Sequence, residues 1–185
     1  VVASCGQSGA AAEAASLARQ IEMPTIDAST KLVGDAGEHY VLGQLSFAGA
    51  FAAKMPDNWK AYDLVVEGRN GLERISVKTR TETASWTDAS WFRFDIRQDV
   101  DWLACVFRSG QGIIRAWVMP FDVAIEYANS STEARRHKWQ RELPYRRLKV
   151  KPFSMYEDNW SLVRHEARDT LGPANAAAKK AKGNP

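Results

Sequence analysis

Short apolar runs separated by turn-forming residues fill the middle of the chain. Tyr62–Glu67 and Arg74–Arg80 alternate apolar and polar positions around a Gly-Arg-Asn-Gly turn, which predicts a β-hairpin. Asp101–Arg108 and Ile113–Met119 flank a Ser-Gly-Gln-Gly turn and predict a second hairpin. A shorter strand is predicted at Trp91–Phe94. Together these segments predict a sheet in which most neighbouring strands are antiparallel.

Helical spacing of apolar residues occurs on both sides of the predicted strands. Apolar residues recur at this spacing over 40–48, which predicts a helix capped by Asp35 with Glu38 in its first turn. Phe121–Tyr127 and Thr132–Arg141 are predicted to form two further helices. The fold class that follows is α/β (α+β), with a mixed central sheet flanked by helices.

The ends of the chain differ in composition from its middle. The 185 residues are enough for one domain with its own core, which we assign to residues 31–165. Within it, Tyr145–Val150 predicts an edge strand, and Glu157–Val163 predicts a closing turn that brings a tryptophan onto the core. Residues 1–30 are rich in alanine and predict a helix or linker, whereas residues 166–185 predict a basic, disordered tail.

Positive charge is concentrated in one segment of the chain. The net charge is only +3, yet residues 135–151 hold eight Lys or Arg side chains and a single acid, Glu142. Such a block favours an anionic partner, although a solvated face with edge-strand lysines has the same composition. Both interpretations are open at this point.

The two cysteines indicate neither a disulfide framework nor a zinc site. Cys105 lies in an apolar strand-like run and is interpreted as a small core residue. The segment VVASC resembles the end of a bacterial lipoprotein signal, with Cys5 as the lipid acceptor. A cytoplasmic protein is expected, with anchoring through Cys5 as the alternative. No apolar run is long enough to span a membrane.

Polar residues interrupt both strands of the first predicted hairpin. Asp63 and Lys78 share one face if the turn fixes the register, because alternate residues of a strand point the same way. Mg²⁺ prefers oxygen ligands, which the Asp63 carboxylate, a main-chain carbonyl near Val77 and phosphate oxygens can supply. Lys78 can then position or activate an attacking water, or neutralise charge on a phosphate. The hairpin thus predicts a metal-dependent phosphodiesterase centre.

Three segments in this order resemble the PD-(D/E)xK nuclease superfamily, closest to its restriction-endonuclease and Holliday-junction-resolvase group: GDAGEHYVLGQL, YDLVV and RISVKTR. The matching positions are Gly34 with Glu38, Asp63, and Lys78 followed by Thr79 and Arg80. The resemblance covers residues 34–163. It implies a restriction-endonuclease-like fold and a nuclease that uses Mg²⁺ or Mn²⁺ and acts on DNA more than on RNA.

Ser76 stands where the superfamily has Glu or Gln. A hydroxyl is a weaker ligand than a carboxylate, so lower affinity for a divalent cation is expected. Three interpretations are open. Glu38 supplies the second carboxylate, or Ser76 holds a metal-bound water in a weak or manganese-preferring enzyme, or the site is inactive and the fold serves as a nucleic-acid- or protein-binding module. Glu38, Asp63, Ser76 and Lys78 are the candidate catalytic residues.

Contacts to nucleic acid are predicted to come from basic side chains around the site. Such contacts go mainly to phosphates, so binding is expected to weaken with salt and to show little base preference. The resemblance also implies a homodimer that reaches both strands. The sequence holds no zinc spacing of histidines, no P-loop and no Gly-x-Ser-x-Gly elbow. The predicted nucleic-acid-binding residues are Arg80, Arg135, Arg136, Lys138, Arg141, Arg146 and Arg147.

Overall fold

The structure, a computed structural model, describes residues 30–57, 59, 61–68, 71–87, 90–130 and 138–164. Three helices lie within these ranges: α1 (Thr30–Phe47), α2 (Phe121–Tyr127) and α3 (Tyr145–Leu148), followed by a 3-10 turn (Phe153–Tyr156). The strands there are β1 (Ala52–Lys54), β2 (Leu64–Gly68), β3 (Gly71–Thr81), β4 (Trp91–Asp95), β5 (Trp102–Arg108), β6 (Ile114–Pro120), β7 (Asn129–Ser130) and β8 (Gln140–Pro144).

Five strands form a central sheet in the order β1-β2-β3-β5-β6. β3 and β5 are parallel, whereas the other neighbours are antiparallel, so the sheet is mixed. Between β3 and β5 the chain passes through β4, which belongs to a second, three-stranded sheet in the order β4-β8-β7. The predicted fold class and both hairpins are confirmed. The second sheet is an addition that the local pattern did not predict.

The two faces of the central sheet pack against different layers. α1 covers one face, where its residues Val41 and Leu45 join a buried cluster with alternate strand residues such as Val77. The second sheet covers the other face, where Cys105 and Trp117 are buried in a separate cluster. Because β5 is central and covered on both faces, its apolar run is continuous rather than alternating.

β3 continues well beyond the end of its antiparallel partner. The last β2–β3 pair is Leu64 with Ile75, whereas β3 runs beside β5 as far as the pair Thr81 with Arg108. Within the described ranges, residues 76–81 therefore have a strand neighbour on the β5 side and none on the β2 side. This open edge leaves main-chain groups of β3 that need partners from outside the sheet.

The first helix begins earlier than predicted. α1 starts at Thr30, so Asp35 lies in its second turn rather than at its cap, and Glu38 lies in its third turn. In the preceding turn, Lys31 pairs with Asp35 at 2.9 Å, one turn away, which supports helix at these positions. The dipole at the helix start therefore does not account for the position of Glu38.

The segment after the basic block also differs from the prediction. Tyr145–Val150 was predicted to be a strand, which is wrong: Tyr145 and Leu148 are buried at helical spacing in α3. The strand is β8 instead, and it includes the last two residues of the predicted helix Thr132–Arg141. The strand pattern was hidden because a charged residue, Glu142, is buried opposite Arg93 of β4, with a 2.9 Å ion pair.

Several predictions fall outside the described residues. The N-terminal helix or linker, Cys5 and the basic tail lie in residues 1–29 and 165–185, and most of the predicted helix Thr132–Arg141 lies in residues 131–137. The division into a domain and two flanking segments stays a prediction. None of the helices in the described ranges is long and apolar enough to cross a membrane.

Gly37 allows α1 to pack closely on β3, which gives a first stability prediction. A Cβ atom at Gly37 would lie 1.8 Å from the Thr79 Oγ1, whereas a Cβ at Gly43 of the same helix meets nothing within 4 Å. We expect Gly37→Ala to lower the free energy of unfolding by about 1–3 kcal/mol through overpacking. The control Gly43→Ala should raise it by up to about 1 kcal/mol. Urea unfolding measures both, and equal effects would contradict this packing.

Candidate active site

Asp63 connects the start of β2 to the open edge of β3. Its Oδ2 accepts hydrogen bonds from the Val77 main-chain N–H at 2.6 Å and from the Ser76 Oγ at 3.2 Å. Its own N–H donates to the Ile75 carbonyl at 3.0 Å. The carboxylate thus takes the place of a strand carbonyl just before the first residue of β2. Asp63 is half-buried, so the rest of its carboxylate is within reach of solvent.

Lys78 lies on the same face of the sheet as Asp63 and Ser76. Ser76 and Lys78 are two residues apart on β3, and alternate strand residues share a face. Lys78 is half-buried and opposite Cys105 of β5. Burial raises the pKa of the Cys105 thiol above its ordinary range, and the charge of Lys78 opposes that rise. Lys78 has no ion pair in the part of the chain that the structure describes.

Ser76 is fully buried, and a residue absent from the prediction lies over it. The Gln98 Oε1 is 3.5 Å from the Ser76 Oγ. Gln98 belongs to the loop that connects β4 to β5, and it is half-buried. Its distance from Ser76 along the chain is 22 residues, so no local spacing in the sequence could have indicated this contact.

Glu38 lies on the helix side of the same corner of the sheet and already has a cationic partner. Its Oε2 is 2.9 Å from the Lys54 Nζ, which also contacts Asp57 at 2.9 Å. In the register of β1 and β2, Lys54 lies opposite Leu64, the residue after Asp63. The structure does not bring Glu38 and Asp63 into one metal-binding group, since the described residues hold no cluster of three Asp, Glu, His or Cys side chains that could bind a metal ion.

Lys54 belongs to an ion-pair network of two lysines and three acids: Lys31, Lys54, Asp35, Glu38 and Asp57. Hydrogen bonds to Asp57 and Glu38 raise the pKa of the Lys54 amine above its ordinary range. Hydrogen bonds from Lys31 and Lys54 lower the pKa of the Asp57 carboxyl to about 2. The helix side of the corner is therefore an ion-pair network centred on Lys54.

Oxygen atoms that could hold a hard cation lie on the Asp63 side of the corner. They are the Asp63 carboxylate, the Gln98 side-chain carbonyl, the Ser76 hydroxyl and the main-chain carbonyl of Val77. The last points toward the open edge because the N–H and C=O of one strand residue point to the same side. Mg²⁺ is commonly bound by one or two carboxylates, with waters and substrate phosphates completing its shell. This donor set fits Mg²⁺ or Mn²⁺, with a single charge to hold it.

The predicted nucleic-acid-binding residues in the described part of the chain divide into two groups by their contacts. Arg80 is exposed near the site, and Lys138 and Arg146 are exposed near β8 and on α3. Arg141 donates to the Lys138 and Gln140 carbonyls, and Arg147 donates to the Tyr127 carbonyl at the end of α2. These two side chains therefore hold the local backbone. Arg135 and Arg136 lie outside the described residues.

An exposed tryptophan beside these residues was also missed from sequence. The Trp139 ring is 41% exposed. The Lys138 Nζ lies 4.6 Å and the Arg97 Cζ 5.7 Å from its centroid. The Trp139 carbonyl accepts the Ile96 N–H at 2.9 Å, which joins this ring to the loop that carries Gln98. The adjacent residues Lys138 and Trp139 were the signal in the sequence that could have indicated this contact.

No protein-family model matches the sequence, and no curated protein matches it either. Among solved structures, the chain is similar to one described as a bacterial homing endonuclease. The TM-score is 0.47 and the sequence identity is 21%, over 84% of this chain and 99% of that chain. A likeness at this level leaves the family and the activity of this chain undefined.

The Asp63–Val77 contact gives a stability prediction. Val77 is 7% exposed, so removal of the acceptor leaves its N–H almost without access to water. We expect Asp63→Ala to lower the free energy of unfolding by about 1–3 kcal/mol, the usual cost of a buried unsatisfied donor. Asp63→Asn keeps an oxygen acceptor, so it should lower that free energy by less. Equal losses in urea unfolding would contradict the structural role of this oxygen.

Proposed function

We propose that this chain is a metal-dependent nuclease of the PD-(D/E)xK type, which hydrolyses phosphodiester bonds in DNA. The observation that carries the proposal is the common position of Asp63 and Lys78. The two side chains share one face of the sheet beside the open edge of β3, and both are half-buried. An acid and an ammonium group in that arrangement can bind a cation and a phosphate next to each other.

Asp63 is the residue that we propose to hold the metal, with the Val77 carbonyl as a second ligand. Mg²⁺ or Mn²⁺ at this position would polarise a phosphate oxygen and acidify a bound water. Glu38 can join the site only if it leaves Lys54, to which it is bound at 2.9 Å. Its role as a metal ligand is therefore the weaker part of the proposed set.

Lys78 is the residue that we propose to act on the attacking water and on the phosphate. In hydrolysis the water oxygen forms a bond to phosphorus, and the bond from phosphorus to the leaving sugar oxygen breaks. The leaving oxygen takes up a proton, and the water loses one. The Lys78 ammonium group, which no acid in the described residues neutralises, can orient the water and stabilise the charge that grows on the phosphate.

Exposed basic side chains near the site are the proposed contacts to the DNA backbone. Arg80, Lys138 and Arg146 are available to phosphates, whereas Arg141 and Arg147 contribute charge from positions fixed by the backbone. Trp139, which is exposed and lies close to two cations, is the ring on which a base could stack. The homodimer and the cytoplasmic location stay predictions.

A second candidate function is a nuclease-like fold that binds nucleic acid or protein without cutting. The observation that favours it is the structural use of the acids. One Asp63 oxygen already accepts two hydrogen bonds, and Glu38 is neutralised by Lys54. Both functions predict binding, so cleavage distinguishes them.

A cleavage assay on supercoiled plasmid and on branched DNA, with Mg²⁺ or Mn²⁺, tests the nuclease. We expect the wild type to cut, and Asp63→Asn and Lys78→Gln to lower the rate by about a hundredfold or more, the usual loss when a transition-state electrostatic contact is removed. The matched controls are Asp122→Asn and Lys31→Gln, whose side chains are exposed by 77% and 66%. They should cut like the wild type.

Two outcomes would contradict the nuclease. The first is no cutting by the folded wild type on any of these substrates, which would leave the binding function. The second is cutting that Asp63→Asn and Lys78→Gln do not change, which would place the chemistry elsewhere in the chain.

The salt dependence of DNA binding tests the proposed backbone contacts. The logarithm of the affinity should fall linearly with the logarithm of salt concentration, with a slope of about −0.9 for each phosphate contact to duplex DNA. Lys138→Gln and Arg146→Gln should each make this slope shallower by about one contact. Lys31→Gln, on α1 at the other face, should not. Fluorescence anisotropy measures the slopes, and an affinity independent of salt would exclude this surface.

A further inference from the structure

We propose that Gln98 is a cation ligand of this site and replaces the acid that is absent at Ser76. The inference rests on the proposed function, because it concerns the metal of the same nuclease site. The Asp63 carboxylate and the Val77 carbonyl are the first two proposed ligands. Gln98, on the loop between β4 and β5, would supply the third.

The oxygens around Ser76 outnumber the hydrogens available to them. The Ser76 Oγ lies 3.2 Å from the Asp63 Oδ2 and 3.5 Å from the Gln98 Oε1, and its single hydroxyl hydrogen can serve one of these acceptors well. The Val77 N–H serves only the Asp63 oxygen. The Gln98 oxygen is left with the longest contact of the group. A cation beside Asp63 would satisfy it.

The loop that carries Gln98 is anchored at both ends, so this position is built into the fold. At the first end, the Ile96 N–H donates to the Trp139 carbonyl at 2.9 Å. At the second end, the Asp101 N–H donates to the Arg74 carbonyl at 2.9 Å, and the Arg74 N–H donates to the Asp101 carboxylate at 2.8 Å. The loop is thereby joined to β8 on one side and to β3 on the other, with Gln98 between the two anchors.

Gln98 also occupies the space that a longer side chain at position 76 would need. Ser76 has no exposed surface, and the Gln98 Oε1 lies 3.5 Å from its Oγ. A Glu at position 76 would extend past the present Oγ toward the Gln98 Oε1. The short residue at 76 and the amide at 98 are therefore complementary, and together they place one oxygen beside Asp63.

A binding titration tests this assignment without any cleavage. Mn²⁺ alone is added to the metal-free full chain, and the electron paramagnetic resonance signal measures the Mn²⁺ that stays free. Gln98→Met keeps the length of the side chain but lacks the carbonyl; since loss of a residue that only supports a ligand costs about ten- to a hundredfold, we expect loss of this direct ligand to weaken Mn²⁺ binding by at least about tenfold. Gln98→Glu should bind more tightly. The control Gln111→Met, exposed in the turn between β5 and β6, should match the wild type. Urea unfolding checks that each variant is folded.

A pair of variants at position 76 tests the complementarity. Ser76→Glu combined with Gln98→Ala should recover the Mn²⁺ affinity that Gln98→Ala alone loses, because the acid then has room. Ser76→Glu with Gln98 in place should gain less, since the two side chains compete for one space. A combined variant no tighter than Gln98→Ala would contradict the proposal.

The outcomes separate this inference from the proposed function. If Asp63→Asn abolishes Mn²⁺ binding while Gln98→Met binds like the wild type, Gln98 is not a ligand and the nuclease proposal stands. If the wild type shows no binding that depends on Asp63, both proposals fail. If Gln98→Met and Asp63→Asn both weaken binding and the control does not, the assignment holds.

Discussion

The hydrogen bond from the Val77 N–H to the Asp63 carboxylate is the constraint on which the site depends. β2 ends while β3 continues, so a buried N–H of β3 faces a side of the sheet without a strand. The carboxylate supplies the missing acceptor, and the fold therefore requires an oxygen acceptor at this corner. The same contact holds Asp63 against Ser76 and on the face of Lys78. The stability of the strand and the proposed chemistry thus depend on the same side chain. The Asp63 Oδ2 accepts the hydrogen bonds of β3, and the Oδ1 is left for the proposed metal.

The charges at this corner are divided between the two faces of the sheet. On the helix side, Lys31 and Lys54 pair with Asp35, Glu38 and Asp57, which leaves one negative charge in excess. On the other side, Asp63 and Lys78 share a face, and neither forms an ion pair within the described residues. A cation on that side would depend on neutral oxygens as much as on Asp63. In the proposed site, the residue over Ser76 would therefore influence how tightly a metal is held.

The sequence predicted those features that depend on local pattern. The two hairpins and Phe121–Tyr127 followed from alternation and from Pro120, and the shared face of Asp63, Ser76 and Lys78 followed from one short turn. β8 was not predicted because its apolar pattern is interrupted by Glu142, whose partner is on another strand. Gln98 was not predicted because its contact with Ser76 depends on the crossover from β3 through β4 to β5, and local spacing carries no information about such a crossover.

Diffraction at the manganese absorption edge, from crystals soaked in Mn²⁺, tests the central claim most directly. The account predicts an anomalous peak within coordination distance of the Asp63 carboxylate, with the Gln98 Oε1 and the Val77 carbonyl as neighbours and Lys78 close to the metal-bound water. A peak at Glu38 and Asp57 on the helix side, or no peak beside Asp63 in fully soaked crystals, would contradict it.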